Sequence, residues 1–258
     1  MILENRTIIV TGAAQGIGAA LVRCFDAQAP KAITLLDLHA GKLEELAADL
    51  SCRNVSTGVC DVGDPDALLP FVEAMEMEHG GVDLFCANAG VFIPGGEDVS
   101  LDGWKNSLNV NLMSHIYAAR TCLPGMLARG HGYFLHTVSA AGLLSQIGSA
   151  PYTVSKHGAL AFAEWLSITY GDRGIGVTAL CPQGVETPML NDIGNVASVS
   201  GDGLASSREV AECALQAIVE ERFLALPHPQ VADYFRFKAE DPDRWLKGMR
   251  RLQNKLVP

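Results

Sequence analysis

No segment of the 258-residue chain approaches the ~18 continuous apolar residues that a membrane span needs, and Met1 to Arg6 carry no charged stretch leading into a long apolar run. The expected setting is therefore the cytoplasm. The seven cysteines (Cys24, Cys52, Cys60, Cys86, Cys122, Cys181, Cys213) are odd in number and scattered, without a C-x-x-C pair or a Cys/His cluster of zinc spacing. A disulfide framework and a metal site are not expected, and the thiols read as reduced and mostly buried. Basic residues are few: 19 Lys and Arg against 29 Asp and Glu leave a net charge of −10, a field that repels phosphate backbones and anionic headgroups. Nucleic acid and membrane surfaces are accordingly not expected as partners. Internal repeats and low-complexity tracts are missing too. What remains, at 48% hydrophobic residues and 26 glycines, is the profile of a globular chain long enough to bury a sizeable core.

Short apolar runs alternate with stretches of helical periodicity. Thr7 to Val10, Ala32 to Leu36, Val55 to Val59, Val82 to Ala87, Tyr133 to Val138, Val177 to Leu180 and Phe223 to Leu226 read as strands. Helices are expected after Gly16, around Leu43 to Leu50, near Pro65 to His79, over about 101–129, near Pro151 to Tyr170 and near Arg208 to Glu220. Short apolar strands separated by helices predict a single α/β domain over 1–258, a Rossmann-like, doubly wound parallel sheet of about seven strands with helices on both faces. Within it, 1–190 would hold the cofactor-binding and catalytic core, and 191–207, rich in Gly, Ser and Asn, a substrate lid. A helical C-terminal tail is expected over 228–258. There Asp241-Pro242 reads as an N-cap and first helical residue, with Trp245, Leu246, Met249 and Leu252 as a stripe that its own fold or a partner subunit must cover. Residues 236–255 carry seven basic and three acidic side chains, a local +4 on a negative protein.

Thr11-Gly12-Ala13-Ala14-Gln15-Gly16-Ile17-Gly18 falls where the first strand meets the first helix. Glycines there let the backbone turn tightly and approach a pyrophosphate, whose charge the helix N-terminus favours. Asp37 ends the second strand nineteen residues after Gly18, placed to accept hydrogen bonds from both hydroxyls of an adenosine ribose. Its charge would repel a 2′-phosphate, and no Arg or Lys lies between Thr11 and Ala20 or at 38–41. The expected cofactor is therefore NAD rather than NADP.

The T-G-x-x-x-G-x-G spacing, with Asn88-Ala89-Gly90 after the fourth strand and Tyr152-x-x-x-Lys156, resembles the short-chain dehydrogenase/reductase family over about Arg6 to Leu226. The resemblance implies a cofactor site built from Gly12, Gln15, Gly16, Ile17, Gly18, Asp37 and Leu38. To these it adds Asp61 and Val62 at the adenine, Asn88, Ala89 and Gly90 as a wall, and Val185 and Thr187 at the carboxamide. It implies the catalytic set Asn111, Ser139, Tyr152 and Lys156, of which the last two also border the cofactor, and a homodimer or homotetramer built through the helices at 101–129 and 151–170.

The chemistry of that set is consistent with its residue types. Moving a hydride off a secondary alcohol needs a base for the hydroxyl proton, and an ordinary tyrosine, with a pKa of about 10, is mostly protonated at neutral pH. Lys156, one helical turn after Tyr152, would favour the phenolate. Ser139 would hold the substrate oxygen, and Asn111 resembles the family residue that anchors a water chain from the lysine. His136 reads as a core or supporting residue, His157 as pointing away around the helix, and Val138-Ser139-Ala140 lacks a hydrolase elbow.

Two departures from the family pattern stand out. Cys181-Pro182 is followed by Gln183 before Gly184, where the family has Pro-Gly, and the end of the chain carries Leu226-Pro227-His228-Pro229 in place of a glycine-rich strand. Phe92, Leu144, Gln146, Gln183 and Met189 are the candidate substrate contacts. The segments Val91 to Gly96, Ala140 to Ile147 and Gln183 to Met189 contain no Arg or Lys to pair with a carboxylate. The expectation is an NAD-dependent oxidoreductase acting on a neutral, fairly hydrophobic secondary alcohol, alicyclic or steroid-like. An NAD(P)H-dependent carbonyl reductase is the alternative, and a non-catalytic dinucleotide-sensing regulator is disfavoured by the complete catalytic set.

Overall fold

A computed structural model describes residues 1–192 and 201–256. The elements are β1 (Thr7–Thr11), α1 (Gly16–Asp26), β2 (Ala32–Asp37), α2 (Ala40–Ala48), β3 (Val55–Val59), α3 (Leu69–His79) and β4 (Leu84–Ala87). They continue with α4 (Leu101–Leu108), α5 (Ser114–Arg129), β5 (Gly132–Thr137), α6 (Ala140–Leu143), α7 (Ala150–Tyr170) and β6 (Ile175–Leu180). The remainder is β7 (Val185–Glu186), β8 (Ala205–Ser206), α8 (Ser207–Val219), β9 (Leu224–Ala225), α9 (Gln230–Glu240) and α10 (Pro242–Leu256).

Seven strands form one sheet in the order β3-β2-β1-β4-β5-β6-β9, every neighbouring pair parallel. This is the expected doubly wound, Rossmann-like α/β architecture. The reason lies in β1: its five residues, T-I-I-V-T, are buried throughout, so successive side chains must enter two different cores. Ile9 packs with Val72, Phe85, Met126, Phe134 and Leu160 on one side of the sheet. Ile8 and Val10 pack with Leu21, Phe25, Leu35, Val210 and Ile218 on the other.

The boundaries move for identifiable reasons. The helix expected from Pro65 starts at Leu69, after Asp61 and Asp64 accept main-chain N–H groups at Gly63 and Asp66 and hold a run of turns. The helical region at 101–129 runs as α4 and α5 joined through a π-helical turn, Asn109–Met113. Asp241 caps α10 as expected, its Oδ1 accepting from Arg244 N at 2.9 Å. Of the lid expected over 191–207, residues 193–200 lie outside the described residues; at its far end β8 pairs in parallel with β7, and Ser206 and Glu209 form a capping box on α8. Among the described residues no helix is long and apolar enough to cross a membrane.

Strand order reverses between β1 and β4. The glycine turn, Asn88 to Gly90, Ser139 and Pro182-Gln183 follow carboxyl ends of strands and Asp37 forms one, the side on which open α/β sheets form their crevice.

Candidate active site

At that crevice lies a cavity of about 830 Å³. Every site residue singled out from the sequence lines it except Gly18 and Asn111. The glycine turn is shaped by close approach. Gly12 and Gly16 adopt φ of +63° and +55°, which side chains disfavour. A Cβ on Gly18 would fall 1.9 Å from the Gly12 carbonyl oxygen, so Gly18 lets α1 pack onto the turn rather than facing the cavity. Asn88 ties the turn to the neighbouring strands, its Nδ2 donating to the carbonyls of Thr11 (3.1 Å) and Gly12 (3.2 Å) while its Oδ1 accepts from Thr137 Oγ1 (3.0 Å).

Asp37 sits at the end of β2 with Oδ2 accepting from Ala14 N at 3.0 Å. Its Oδ1 meets the main-chain N of His39 at 3.2 Å and the ring Nδ1 at 3.0 Å. Lys42 reaches back to Gln15 Oε1 at 2.7 Å. Two basic side chains thus stand at this rim, although residues 38–41 hold no Arg or Lys.

Ser139 leaves β5 with φ +152° and ψ +157°, a region that is nearly glycine-only and costs of order 1–3 kcal/mol. Main-chain bonds from Val138 N to Leu180 O and from Ala140 N to Pro182 O, both 2.8 Å, hold it there. Its hydroxyl accepts from Ala141 N (3.1 Å) and bonds to Tyr152. Tyr152 lies on α7, its ring 5.2 Å from that of Phe92. Lys156, one turn on and 3% exposed, places Nζ 5.7 Å from the Tyr152 ring centroid.

The electrostatics differ from the expectation that Lys156 lowers the Tyr152 pKa. The lysine donates to the Thr137 carbonyl at 2.8 Å. Burial raises the Tyr152 phenol above its ordinary value, with the Ser139 hydrogen bond opposing. Burial also lowers Lys156 to about 8. Desolvation by the surrounding fold is therefore the largest influence on both groups.

Asn111 is fully buried in the π-helical turn. Its Oδ1 accepts from Val91 N and its Nδ2 donates to Val91 O, both 2.9 Å, with Ser107 and Ser155 hydroxyls beside it. The side chain thus clips the segment after β4 to α4 and α7. His136, buried as expected, pairs Nδ1 to Nδ1 with His115 at 2.7 Å, so one ring must donate and the other accept. Burial holds His136 down to about 3. His157 turns from the cavity, its Nδ1 on Thr153 O and its Nε2 3.3 Å from Lys238 Nζ.

The C-terminal helices supply a wall that sequence reasoning missed. Trp245, Met249 and Leu252 line the cavity with Tyr234 of α9, and Asn106 and Val110 do so from the α4 side. The apolar stripe of α10 therefore covers the crevice, while Leu246 at its edge is 51% exposed. Lys238 anchors α9 by donating to the carbonyls of Leu143 (2.8 Å) and Leu144 (3.0 Å), and Tyr234 Oη donates to Asp202 (2.9 Å). The i, i+4, i+7 spacing of Trp245, Met249 and Leu252 was the available signal.

Comparison with known proteins accords with this geometry. The family model described as short chain dehydrogenase matches residues 6–197. The 1-deoxy-11-beta-hydroxypentalenate dehydrogenase of Streptomyces exfoliatus is 34% identical over 229 residues, covering 86% of this chain and 83% of that protein. The D-threitol dehydrogenase of Mycolicibacterium smegmatis is 30% identical over 198 residues, 76% of this chain and 74% of that one. In fold, the chain resembles a Burkholderia phymatum short chain dehydrogenase/reductase crystallised with NAD, at a TM-score of 0.86 and 24% identity, covering 94% of this chain and 96% of that one.

Proposed function

The chain belongs to the short-chain dehydrogenase/reductase family, and from that premise we propose that it is an NAD-dependent alcohol dehydrogenase. Its substrate is a neutral, fairly hydrophobic secondary alcohol of alicyclic or steroid-like size. The observation that carries the reading is that Ser139, Tyr152 and Lys156 line the same cavity as the glycine turn and Asp37.

The residues fit the dinucleotide. Side chains at Gly12 and Gly16 would crowd Ala89 and Thr187, so both positions stay glycine, and their main chain lines the cavity where a pyrophosphate would lie. Gly12, Gln15, Gly16 and Ile17 would hold the pyrophosphate, Asp37 and Leu38 the ribose, and Asp61 and Val62 the adenine. Asn88, Ala89, Gly90, Val185 and Thr187 would hold the nicotinamide end. When bound, the oxidised nicotinamide accepts the hydride and brings a positive charge.

In the oxidising direction Tyr152 takes the hydroxyl proton of the alcohol while the carbinol hydrogen leaves as hydride, giving a ketone. The Ser139 hydroxyl steadies the developing charge on the substrate oxygen, and Lys156 presents a nearby cation at the phenol. Asn111 acts one layer back, by holding Val91 and with it the segment that carries Phe92. The apolar face of α10 supplies a wall for a ring system, and relatives named for hydroxylated substrates support an alcohol as the reactant.

A second reading, a carbonyl reductase working with NADPH, draws on His39 and Lys42 at the ribose rim. The deciding experiment follows absorbance at 340 nm with NAD and, separately, NADP over a panel of neutral secondary alcohols and one carboxylate-bearing counterpart. Wild type, Tyr152→Phe and Asp37→Ala are compared. NAD-dependent turnover that Tyr152→Phe loses, with a preference that Asp37→Ala moves toward NADP, is the expected result. Turnover unchanged in Tyr152→Phe would remove the proposed base, and a wild-type preference for NADP would select the second reading.

A further inference from the structure

We propose that Gln183, positioned by His228, is a specificity residue whose amide N–H group donates to a second oxygen on the alcohol. The favoured substrates are then vicinal diols and other alcohols with an oxygen beside the carbinol carbon. The inference rests on the alcohol-dehydrogenase reading above.

Gln183 lines the cavity and directly follows Pro182. The Pro182 carbonyl accepts from Ala140 N (2.8 Å) and lies 3.4 Å from Ser139 Oγ. Gln183 is therefore one residue from the group that touches the catalytic serine. Its Oε1 is enclosed in the wall without a hydrogen-bond partner. Gln183 as a whole is partly exposed and lines the cavity, so we assign its amide nitrogen, the donor end, to a ligand there.

His228 supplies the second, independent observation. Its Nδ1 accepts from the main-chain N of Gln183 at 3.2 Å, across 45 residues of sequence. The neutral ring that accepts at Nδ1 carries its proton on Nε2, and this atom is also enclosed and unpartnered. Each of the two residues thus keeps an enclosed side-chain atom, and the bond from Gln183 N to His228 Nδ1 fixes the main chain from which the Gln183 amide is presented. Burial lowers the His228 pKa, against Asp202, Glu209 and a backbone hydrogen bond at Gly184, which keeps Nδ1 free to accept. Pro227 and Pro229 bracket His228 and restrict the backbone that presents it. The two places where the sequence departs from the family pattern therefore meet at one contact.

The test compares kcat/KM for cyclohexanol, trans-1,2-cyclohexanediol and 2-methoxycyclohexanol with NAD, in wild type, Gln183→Leu, His228→Leu and the double variant, with the NAD Kd from fluorescence quenching. Thermal melts and NAD binding report folding, and His228→Asn replaces His228→Leu should the latter not fold. The diol and the methoxy compound should both exceed cyclohexanol in wild type, the ether because it can only accept. Their advantage should fall about tenfold in Gln183→Leu. His228→Leu should reduce it similarly, and the double variant should lose little more, since the two residues act through one contact.

A methoxy compound that behaves as cyclohexanol does would overturn the donor role, and an advantage untouched by Gln183→Leu would overturn the site. A change confined to the NAD Kd would assign the amide to the cofactor instead. Independent, additive losses would overturn the role of His228. Absence of wild-type turnover on all three compounds and on the broader panel would remove the alcohol reading itself, and this inference with it.

Discussion

Replacing Lys156 by Met should stabilise the folded chain at neutral pH while abolishing turnover. Burial lowers the lysine from 10.5 to about 8, because the charged form loses hydration that the site does not replace. The sign follows from proton counts: between those two values the unfolded chain holds the proton and the native chain does not, so stability rises with pH across that window. The charge therefore costs the native state about 3 kcal/mol at pH 7 and about 1 kcal/mol at pH 10. Met keeps most of the aliphatic volume but leaves the Thr137 carbonyl without its 2.8 Å donor, an opposing loss of about 1 kcal/mol. Urea unfolding followed by tryptophan fluorescence should place Lys156→Met about 2 kcal/mol above wild type at pH 7. The advantage should vanish or reverse near pH 10. The difference between variants is the informative quantity, since the buried tyrosines and cysteines that also titrate are common to both. A gap independent of pH, or a Met variant less stable at pH 7, would refute the argument that desolvation governs this site.

Three further outcomes follow from the same geometry. Gly18→Ala should lose about 1–3 kcal/mol of stability and weaken NAD binding, because its Cβ would fall 1.9 Å from the Gly12 carbonyl oxygen; Gly41→Ala, with open space at its Cβ, is the control. Calorimetry and fluorescence titration read both effects. Trp245→Ala should lower kcat/KM for a bulky alicyclic alcohol about tenfold relative to 2-butanol, since the indole lines the cavity and a small substrate does not reach so far; an equal loss on both would show that α10 acts only through stability. Oxidation by the wild type should accelerate from about pH 6 to about pH 9, because the phenol of Tyr152 is raised and its base form grows with pH; a flat profile would argue against it as the base.

What could be read from the sequence was local chemistry at fixed spacing. Glycines at 12, 16 and 18 next to a strand, an acid at the end of the following strand, and Tyr152 one helical turn before Lys156 each constrain the backbone within a few residues; Gly12, Gly16, Asp37, Tyr152 and Lys156 line one cavity, whereas Gly18 packs α1 onto the turn. The parallel sheet covered on both faces followed from the apolar character of its strands, since β1 can be buried throughout only inside such a sheet. The parts that were not legible depend on distance or on the field of the whole fold. The pKa directions of Tyr152 and Lys156 come from burial by several elements, whereas the i, i+4 spacing suggests only a favourable charge pair. The stripe of α10 declares that something must cover Trp245 and Met249, but periodicity does not say whether that is a core, a partner or a crevice. Gln183 and His228 are the sharpest case. Each looks like an isolated irregularity in sequence, yet their contact 45 residues apart joins the two departures behind the cavity wall that Gln183 lines. Departures from a family pattern that converge in space are therefore the positions where this chain's own specificity is to be sought.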